Sequence, residues 1–420
     1  MTPITILQSK RILLGVTGSI ACYKAVDLAS KLTQAGALVD VILTEAAARF
    51  VTPLAFRSVT GRPVYDDMWA LDDHAEYGHV HHVGLGESAG LFLIAPATAN
   101  TIAKLAYGLG DNLLTVTALA ARCPVVVAPA MDGGMWAHPA TQANVVALQE
   151  RGVLFAGPAT GRMASGLSGV GRMLEPAELL GRARQVLGAN GLLRGRRVLV
   201  TTGPTREALD PVRFISNRSS GKQGMAVARA ALDAGAEVIV VAGPTCEAAP
   251  YGAAVVDVQT TQEMGDAVLS CIDRVDVLFM VAAVADFRPD VVADRKIKKT
   301  EDANWGLAIG LEKTLDILTA VKERRDRTGL PRVVVGFAAE THNAFEYGRG
   351  KLLRKGLDFI AVNDVTAEGA GFAVDTNRVV LLGAGGVVEE MPLQSKAAVA
   401  ERLIARVADL LGENPQISQI

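Results

Sequence analysis

The chain has 420 residues, 50% of them hydrophobic, and a formal net charge of −2 at pH 7. This length is too great for one ordinary core and suits two domains of roughly 150 to 250 residues, each with enough apolar side chains to fill a core. The balanced charge argues against broad nucleic-acid binding, which needs clustered Lys and Arg side chains, so any anion site must be local.

Short apolar runs alternate with helical patterns throughout the first half. Strands are predicted at 12–16, 38–43, 91–95, 125–128 and 153–156. The helix after the first strand ends at Gly36 and places its apolar residues close to one buried stripe, which comprises Ile20, Val26, Leu28, Ala29 and Leu32. The alternation predicts a parallel sheet with helices on both faces.

The segment 187–195 (LGANGLLRG) suits a connector, because its three glycines and one Asn favour turns. We place the domain boundary there, which gives domains at 1–190 and 191–420. Beyond it, strands are predicted at 198–200, 237–241, 277–281, 333–335 and 359–362, followed by a hairpin around 383–386. The second domain is therefore predicted to be a Rossmann-like nucleotide-binding α/β domain.

Cysteine spacing and hydropathy predict a cytoplasmic protein that does not bind membranes. No two of Cys22, Cys123, Cys246 and Cys271 form a CxxC pair, which fits a reduced chain better than a disulfide framework or a zinc site. No apolar run approaches the ~20 residues that span a bilayer. A lipid-modified Cys22 behind a secretion signal is the competing interpretation, but Ser19 stands where such a signal needs a bulky apolar residue.

Two polar loops each follow a strand and precede a helix. The first is 15–19 (GVTGS); the second combines 201–206 (TTGPTR) with 210–222 (DPVRFISNRSSGK), a polar stretch that no core requires. Backbone N–H groups at a helix start bind anions. The sequence therefore predicts one anion site in each domain, and two chemistries.

Four segments of the first half stand in a specific order: 15–19, 82–85 (HVGL), 95–102 (APATANTI) and 129–136 (PAMDGGMW). They resemble the flavin-dependent cysteine decarboxylases, and nearly all of the chain resembles the bifunctional phosphopantothenoylcysteine decarboxylase/phosphopantothenate–cysteine ligase family of coenzyme A synthesis. The resemblance implies a flavodoxin-like domain that binds FMN through Gly15, Thr17, Gly18, Ser19, Thr44, Thr98, Ala99 and Asn100. The alternative is that these are ordinary turn residues at strand ends. Parallel sheets, however, bind ligands at the carboxyl ends of their strands, where these residues are predicted to lie.

The implied decarboxylation needs an electron sink, because the carbanion left by CO2 beside CH2–SH is not stabilised. Oxidation of the cysteinyl C–S to a thioaldehyde by FMN permits loss of CO2 to an ene-thiolate, which the reduced flavin returns to the thiol. The resemblance implies that His82 is the catalytic acid/base. A metal cluster of His79, His81 and His82 is the alternative, but no Cys or carboxylate accompanies them at a usual ligand spacing.

Implied substrate contacts are Asp132, Met135 and Arg172, and two positions depart from the family pattern. The family usually has Asn at position 132, and an Asp would repel the substrate carboxylate unless protonated or turned aside. The glycine-rich segment 157–173 resembles a lid that closes over substrate, in which the family has Cys at the position of Ser165 for the last reductive step. Either Ser165, a water or another group replaces the thiol, or this half works slowly or stops at the ene-thiol.

In the second half, 282–288 (AAVADFR), 336–341 (GFAAET) and 362–364 (VND) also stand in the family's order. The resemblance implies that CTP and Mg2+ activate a carboxylate, with Asp286 also binding the metal, Lys296 acting in acyl transfer, and CTP contacts at Ala283, Asp286, Lys296, Phe337, Lys351 and Lys355. It further implies that Asn217 stabilises the acyl-cytidylate oxyanion, and Arg213 is our candidate for the phosphopantothenate phosphate. The segment 314–317 (TLDI) replaces the usual Asn-Pro-Asp-Ile, so CTP rather than ATP rests on resemblance alone.

The resemblance implies that the second domain joins 4′-phosphopantothenate to cysteine and that the first converts the product to 4′-phosphopantetheine. It also implies a homo-oligomer built from trimers of the N-terminal domain and dimers of the C-terminal domain. Two alternatives remain. A flavin-binding regulatory protein would keep the fold without turnover, and a decarboxylase of peptide C-terminal cysteine would leave the second domain unexplained.

Overall fold

The computed structural model describes residues 5–69, 81–164, 166–298, 308–340, 343–364 and 374–412, with Gly369 and Gly371. Their contacts form two compact units that divide between Leu187 and Gly188. No helix among these residues is long and apolar enough to cross a membrane. His79 and Ser165 lie outside the described residues.

The first unit is built on a parallel sheet. Its strands are β1 (Arg11–Val16), β2 (Leu38–Leu43), β3 (Val64–Tyr65), β4 (Leu91–Ala97), β5 (Val125–Pro129), β6 (Leu154–Phe155), β7 (Ala159–Arg162) and β8 (Ser168–Arg172). The sheet order is β3-β2-β1-β4-β5-β6, with every pairing parallel, and β7 and β8 form a separate antiparallel hairpin.

Helices connect these strands. They are α1 (Cys22–Gln34), α2 (Glu45–Ala48), α3 (Pro53–Thr60), α4 (His81–Ser88), α5 (Ala99–Tyr107), α6 (Leu113–Ala120), α7 (Gly133–Ala137), α8 (Pro139–Glu150) and α9 (Pro176–Gly188). In α1, Leu28, Ala29 and Leu32 are buried as predicted. The prediction for Ile20 was wrong: this residue precedes the helix and is 60% exposed, and the buried face of the first turn belongs to Cys22 and Lys24.

The second unit repeats the strand order of the first. Its strands are β9 (Arg197–Thr202), β10 (Arg206–Ala208), β11 (Phe214–Ser216), β12 (Glu237–Ala242), β13 (Ala254–Asp257), β14 (Val277–Met280), β15 (Phe287–Pro289), β16 (Leu311–Lys313), β17 (Val333–Glu340), β18 (Phe359–Asp364), β19 (Thr376–Gly383) and β20 (Val388–Ser395). The main sheet runs β13-β12-β9-β14-β17-β18-β19-β20, and only its last two pairings are antiparallel.

Five helices of the second unit complete the described part of the fold: α10 (Lys222–Asp233), α11 (Thr261–Cys271), α12 (Ile317–Thr328), α13 (Ala344–Lys355) and α14 (Lys396–Leu410). Two buried apolar clusters within this unit include side chains of opposite orientation on the same strands, such as Val198 and Leu199 of β9. Both units therefore have the doubly wound α/β fold that the sequence predicts. In each sheet the chain reverses direction across the switch point between the first and fourth strands, where such sheets bind ligands.

Candidate functional site

Polar residues of the first unit gather at the carboxyl edge of its sheet. The loop 17–21 follows β1, Thr44 follows β2, the segment 98–100 begins after β4, and 130–132 follows β5. The start of α4 lies at the same edge, because the ring of His81 packs edge-on against Tyr65, the last residue of β3, with centroids 5.8 Å apart. The predicted FMN residues and His82 therefore share one edge of the sheet.

Thr17 joins the loops that follow β1 and β4. Its hydroxyl donates to the Pro96 carbonyl at 2.8 Å and accepts from the Thr98 N–H at 3.0 Å. The side chain is buried. Thr17 therefore fixes the switch point, and the neighbouring Gly18 and Ser19 are the partly exposed residues of the loop.

Both predicted glycines of this loop have a packing reason to lack a side chain. A Cβ on Gly15, which is buried in β1, would lie 2.9 Å from Leu114 Cδ1 and 3.0 Å from a ring carbon of Phe92. A Cβ on Gly18 would lie 2.5 Å from Ala46 Cβ. Gly15 thus brings α6 close to the sheet, and Gly18 brings the loop close to α2.

The helices at this edge differ in their caps. Thr98 accepts from Thr101 N–H at the start of α5, and Thr44 accepts from Ala47 N–H at the start of α2. The start of α1 has no side-chain cap hydrogen bond, since its N-cap is Ala21. An uncapped helix start beside small residues suits a phosphate group. Ala99 and Asn100 form the first turn of α5, where Asn100 is exposed.

His82 has a buried Nδ1 with no hydrogen-bond partner. Buried polar atoms without partners are rare and often mark functional positions. The described residues contain no group of three or more His, Cys, Asp or Glu side chains that could hold a metal. The unpartnered Nδ1 of His82 suits acid–base chemistry with a bound ligand.

Asp132 is the N-cap of α7. Its Oδ1 accepts from the Gly134 N–H at 3.1 Å, which turns at least one carboxylate oxygen toward the helix start. Asp and Asn cap helices about equally well, so the departure from the family pattern preserves the local geometry. Met135 lies in the same short helix and is 51% exposed.

The predicted lid is the β7–β8 hairpin. Its base is fixed to the loop after β5, because Met131 N–H donates to the Gly171 carbonyl at 2.9 Å. A Cβ on Gly171 would lie only 2.3 Å from the Met131 carbonyl oxygen, so this approach requires glycine. Arg172 follows immediately, which brings it near the loop that contains Asp132.

The second unit contains a cavity of about 880 Å³. This volume lies within the range of ligand-binding pockets. Six predicted site residues line it together: Asn217, Ala283, Asp286, Phe337, Lys351 and Lys355. The remaining lining comes from Thr202, the start of α10 with the residues before it, the end of β14 with the segment that follows it, the 313–318 turn, residues at the ends of β17, β18 and β19, Gly371 and Lys396.

Two threonines after or within β9 hold the wall that follows β14. Thr201 Oγ1 accepts from Val281 N–H at 3.1 Å and from Ala282 N–H at 3.2 Å. Thr205 Oγ1 accepts from Ala285 N–H at 2.9 Å. The backbone of the wall is therefore fixed from the neighbouring loop, as it is at Thr17 in the first unit.

Asn217 crosses the same switch point. Its Nδ2 donates to the Val284 carbonyl at 2.8 Å and to the Ala283 carbonyl at 3.3 Å. An oxyanion bound by this amide would compete with those two carbonyl groups. The side chain is thus held at the wall and is exposed toward the cavity.

Two ammonium groups lie one helical turn apart on α13. Lys351 Nζ donates to the Phe337 carbonyl at 3.2 Å, and Lys355 Nζ pairs with Asp316 and contacts Thr319 Oγ1 at 2.9 Å. Burial raises the pKa of Asp316, but the bonds from Lys355 and from Thr319 N–H outweigh it and the pKa lies below its usual value. These contacts fix both lysines beside the cavity.

Thr314, which departs from the family pattern, has a structural role. Its hydroxyl donates to the Ala285 carbonyl at 2.6 Å, and its N–H donates to the Asp286 carbonyl at 3.1 Å. The turn that precedes α12 is thereby tied to the segment that contains Asp286. Thr314 replaces an Asn without loosening this part of the wall.

A second cationic part of the lining combines Lys222, the last residue of the predicted anion loop, with Lys396, which sequence reasoning missed. Lys222 Nζ pairs with Asp375 at 2.7 Å, and this bond raises the pKa of Lys222. Lys396 is 6% exposed and donates to the Gly371 carbonyl at 3.2 Å. Burial and the charge of Lys222 lower the pKa of Lys396. Residues 153 positions apart form the Lys222 pair, so no local pattern indicates it.

Two amides beside these lysines have unpartnered oxygens. Asn377 donates to Gln223 Oε1 at 3.1 Å, but its own Oδ1 and the Oδ1 of Asn363 are buried without a hydrogen-bond partner. Both residues line the cavity. A ligand with N–H or O–H groups would satisfy them.

Lys296 and Arg213 do not line this cavity. Both are exposed, and Arg213 Nη2 donates to the Ile297 carbonyl at 2.9 Å. Asp210 is buried and accepts from the N–H groups of Arg213 at 2.8 Å and Ile297 at 3.1 Å. The predicted anion loop 210–222 is thus divided: 217–222 lines the cavity, and its first residues form a structural turn.

A magnesium site in this cavity would rest on Asp286. The described residues hold no cluster of three or more metal-ligating side chains. Mg2+ commonly uses one or two carboxylates together with phosphate oxygens and water. Asp286 therefore fits a metal that is held jointly with a nucleotide.

Two family models match the chain: Flavoprotein over residues 3–187, and DNA/pantothenate metabolism flavoprotein C-terminal domain over residues 193–411. The chain is similar to proteins named coenzyme A biosynthesis bifunctional protein CoaBC. Identity is 43% with that of Bacillus subtilis over 407 residues, covering 96% of this chain and 98% of the relative. It is 45% with that of Vibrio cholerae over 398 residues, covering 95% and 98%.

The CoaBC protein of Mycobacterium tuberculosis is 45% identical over 413 residues, covering 96% of this chain and 97% of the relative. A crystal structure of the C-terminal domain of a CoaBC protein is 38% identical, covers 53% of this chain and 100% of that chain, and has a TM-score of 0.45.

Proposed function

We propose which reaction each unit catalyses from the premise that this chain belongs to the family of coenzyme A biosynthesis bifunctional proteins named CoaBC. It is accordingly a bifunctional enzyme, a phosphopantothenoylcysteine decarboxylase and a phosphopantothenate–cysteine ligase. We assign FMN to the first unit, and CTP with Mg2+ to the second. One observation carries the assignment: the parallel strands of the two sheets have the same order, and in the second unit the switch point opens into a cavity lined by lysines, which suits a nucleotide triphosphate.

The first unit would hold the FMN phosphate at the uncapped start of α1 with Gly18 and Ser19, and the rest of the group near Thr44 and 98–100. When bound, FMN supplies the two-electron oxidation that lets the cysteinyl carboxylate leave as CO2, and it returns the electrons afterwards. His82 exchanges a proton with the substrate at this edge, and its unpartnered Nδ1 supports this role.

Arg172 binds the carboxylate that is lost. A guanidinium group offers paired N–H donors that match a carboxylate. The attachment of Gly171 to Met131 supports this role, because it fixes the Arg172 backbone beside the loop of Asp132 and Met135. Asp132 keeps one oxygen on the α7 N–H groups, which reduces its repulsion of the substrate.

The second unit would hold the CTP triphosphate with Lys351 and Lys355, and Mg2+ with Asp286 and phosphate oxygens. The carboxylate of 4′-phosphopantothenate then attacks the α-phosphorus, and pyrophosphate leaves. The amine of cysteine attacks the resulting acyl-cytidylate, and CMP leaves while Asn217 stabilises the oxyanion. Lys296 lies outside the cavity lining, so its role in acyl transfer requires its exposed segment to approach the cavity.

The phosphate of 4′-phosphopantothenate suits the start of α10 better than Arg213. Lys222 and residues 218–221 line the cavity, whereas Arg213 does not. The N-cap of α10 is Gly221, which provides no side-chain cap. Lys222 and the backbone N–H groups of the first turn can then share the phosphate.

A single reaction tests the proposal. Purified protein receives 4′-phosphopantothenate, cysteine, CTP and Mg2+, and the products are followed by mass while the flavin spectrum is recorded. We expect 4′-phosphopantetheine, CMP and pyrophosphate, with the flavin back in its oxidised state. Absence of any CTP-dependent product would contradict the ligase assignment, and absence of flavin absorbance would contradict the FMN assignment. Light scattering on the same sample tests the trimer and dimer contacts, which predict a mass well above that of a dimer.

Ser165 favours one second candidate, a ligase whose decarboxylase half stalls before the last reductive step. A serine hydroxyl is a far weaker acid than a thiol, whose ordinary pKa is about 8.5. A persistent oxidised intermediate in the same reaction would support this candidate. Ser165→Cys would then restore 4′-phosphopantetheine, which a merely slow His82 step would not permit.

A further inference from the structure

We propose that Glu175 is a positioning residue of the decarboxylase half, which orients Arg172 toward the substrate carboxylate and is itself held by Lys24 of α1. The inference rests on the proposed function, in which Arg172 binds that carboxylate. Nothing in the sequence pattern assigns a role to Lys24 or Glu175.

Lys24 is the buried anchor. Its side chain is only 9% exposed, and its Nζ donates to Glu175 Oε1 at 2.8 Å. A buried ammonium group is costly unless it is paired, so the position of Glu175 is set from α1. The bond from Lys24 holds the pKa of Glu175 below its usual value, and the nearby Arg172 adds to this effect.

Arg172 contacts the same carboxylate oxygen from the other side. Its Nη2 pairs with Glu175 Oε1, and among the described residues its other N–H groups have no protein partner. A guanidinium group has five N–H donors, so the bond to Glu175 holds one end of the group and leaves donors for a substrate carboxylate. Gly161 on the neighbouring strand leaves room for this side chain, because an added Cβ there would lie 3.2 Å from Arg172 Cδ.

The pair links two parts of the first unit. Lys24 lies one turn into α1, the helix that starts at the proposed FMN phosphate loop, whereas Arg172 ends the second strand of the hairpin. The side chains of Glu175 and Asp27 are similarly exposed, at 47% and 51%, but Lys24 is 9% exposed, whereas Lys31 of the surface pair on the same helix is 32% exposed. If the ion pair only stabilised the fold, its loss would affect the binding of all ligands equally. If Glu175 positions Arg172, its loss should weaken only the binding of ligands that carry the carboxylate.

The experiment compares two ligands that differ in that carboxylate. Phosphopantothenoylcysteine and 4′-phosphopantetheine are titrated into the full-length FMN-loaded protein, in a His82→Asn background whose slow turnover leaves time to record binding. The change in flavin absorbance reports binding to the first unit only. We expect Glu175→Gln to weaken binding of phosphopantothenoylcysteine about tenfold, comparable to the loss of one charge-assisted hydrogen bond, and binding of 4′-phosphopantetheine less than about twofold.

Controls separate positioning from stability. Asp27→Asn and Lys31→Met make matched changes in the surface pair of α1, and both should leave the two affinities unchanged. Glu175→Asp keeps the charge and should recover part of the affinity for phosphopantothenoylcysteine, and Lys24→Met should weaken that affinity in the same selective way. If Glu175→Gln does not fold, these last two variants decide the question.

Equal weakening of both ligands, or no change in either, would overturn the inference while leaving Arg172 in its proposed place. The variant Arg172→Gln tests the assignment of Arg172 separately from the role of Glu175. If it too leaves the preference for phosphopantothenoylcysteine unchanged, Arg172 does not bind the carboxylate, and both the assignment of Arg172 and the role of Glu175 fall.

Discussion

The two units share a strand order but join the switch point to the next helix differently. The first unit passes from β1 to α1 through the short loop 17–21, whereas the second inserts 203–221, including the β10–β11 hairpin, between β9 and α10. In both, a threonine hydroxyl ties the neighbouring loop: Thr17 accepts from Thr98 N–H, and Thr205 accepts from Ala285 N–H. The shared topology places the candidate site at the same edge of each sheet, and in the second unit the inserted loop contributes residues 217–221 to the cavity lining.

Charge is the second difference. The cavity of the second unit is lined by five lysines, namely Lys222, Lys313, Lys351, Lys355 and Lys396, which suits a triphosphate and a second phosphorylated substrate. The carboxyl edge of the first unit presents hydroxyl groups, small residues and an uncapped helix start, which suits one phosphate and a largely uncharged ring. The same fold thus separates into two chemistries through its loops and side chains.

The largest expected effect is the loss of one reaction without the other. His82→Asn should lower decarboxylation of supplied phosphopantothenoylcysteine by about 10²- to 10⁴-fold, because Asn cannot exchange a proton. Ligation, measured as CMP release, should stay the same. His81→Asn is the matched control, since its ring packs on Tyr65, and it should change the rate far less. Loss of ligation in His82→Asn would contradict the assignment of the two reactions to separate sites.

The next effect concerns the lysines of α13. Lys351→Met or Lys355→Met should raise the KM for CTP about 10- to 100-fold, because each removes a charge-assisted bond to phosphate. Decarboxylation of supplied phosphopantothenoylcysteine should be unchanged. The control is Lys322→Met on α12, where the lysine pairs with the exposed Asp326. An unchanged KM for CTP in both α13 variants would contradict the binding of the nucleotide beside Lys351 and Lys355.

A smaller effect tests the packing of α10, which positions Lys222. A Cβ on Gly224 would lie 2.3 Å from Thr202 Oγ1 and 2.5 Å from Thr202 Cβ. Gly224→Ala should therefore destabilise the second unit by about 1–3 kcal/mol through overpacking. Calorimetry should show a lower melting temperature for that unit alone.

Gly350→Ala makes the same change within α13, where the only close atoms belong to the flexible side chain of Arg354. This control should stabilise by roughly 0.5–1 kcal/mol, because a helix-interior glycine costs backbone entropy. Equal effects at both positions would contradict the close approach of α10 to β9.

The strands were predictable from the sequence because both faces of each parallel sheet are covered. Continuous apolar runs are then required, and the run 38–43 coincides with β2 as observed. Switch-point loops were predictable for the same reason, since polar segments such as 98–100 must follow these runs. The short hairpins β10–β11 and β15–β16 were not predicted, because three-residue strands give too little pattern.

Pairings between distant residues were also beyond the sequence. Lys222 with Asp375, and Lys24 with Glu175, join positions 153 and 151 residues apart. No local spacing indicates either pair. Ile20 was placed on the buried face of α1 from its spacing alone, but the helix begins two residues later because the polar loop continues through Ala21.

The smallest expected effect lies in the loop that only the second unit has. Asp210 is buried in the turn that connects β10 to β11 and accepts from Val212, Arg213 and Ile297 N–H groups. Burial raises the pKa of Asp210, but these backbone bonds and the charge of Arg213 outweigh it, so the pKa lies below its ordinary value. Asp210→Asn should lower the melting temperature of the second unit by a few degrees at neutral pH.

The lowered pKa of Asp210 determines how its contribution to stability changes with pH. The folded state binds the proton of Asp210 less readily than the unfolded chain, so its stabilisation is complete above the unfolded pKa of about 3.9 and is lost as the pH falls through the folded value. The melting difference between Asp210→Asn and the unchanged protein should therefore shrink as the pH is lowered below about 4. Asp257→Asn, on the exposed strand β13, is the matched control and should show no such difference. A difference that persists in acid would mean that the hairpin depends on the shape of Asp210 rather than on its charge, and that the inserted loop is held together without it.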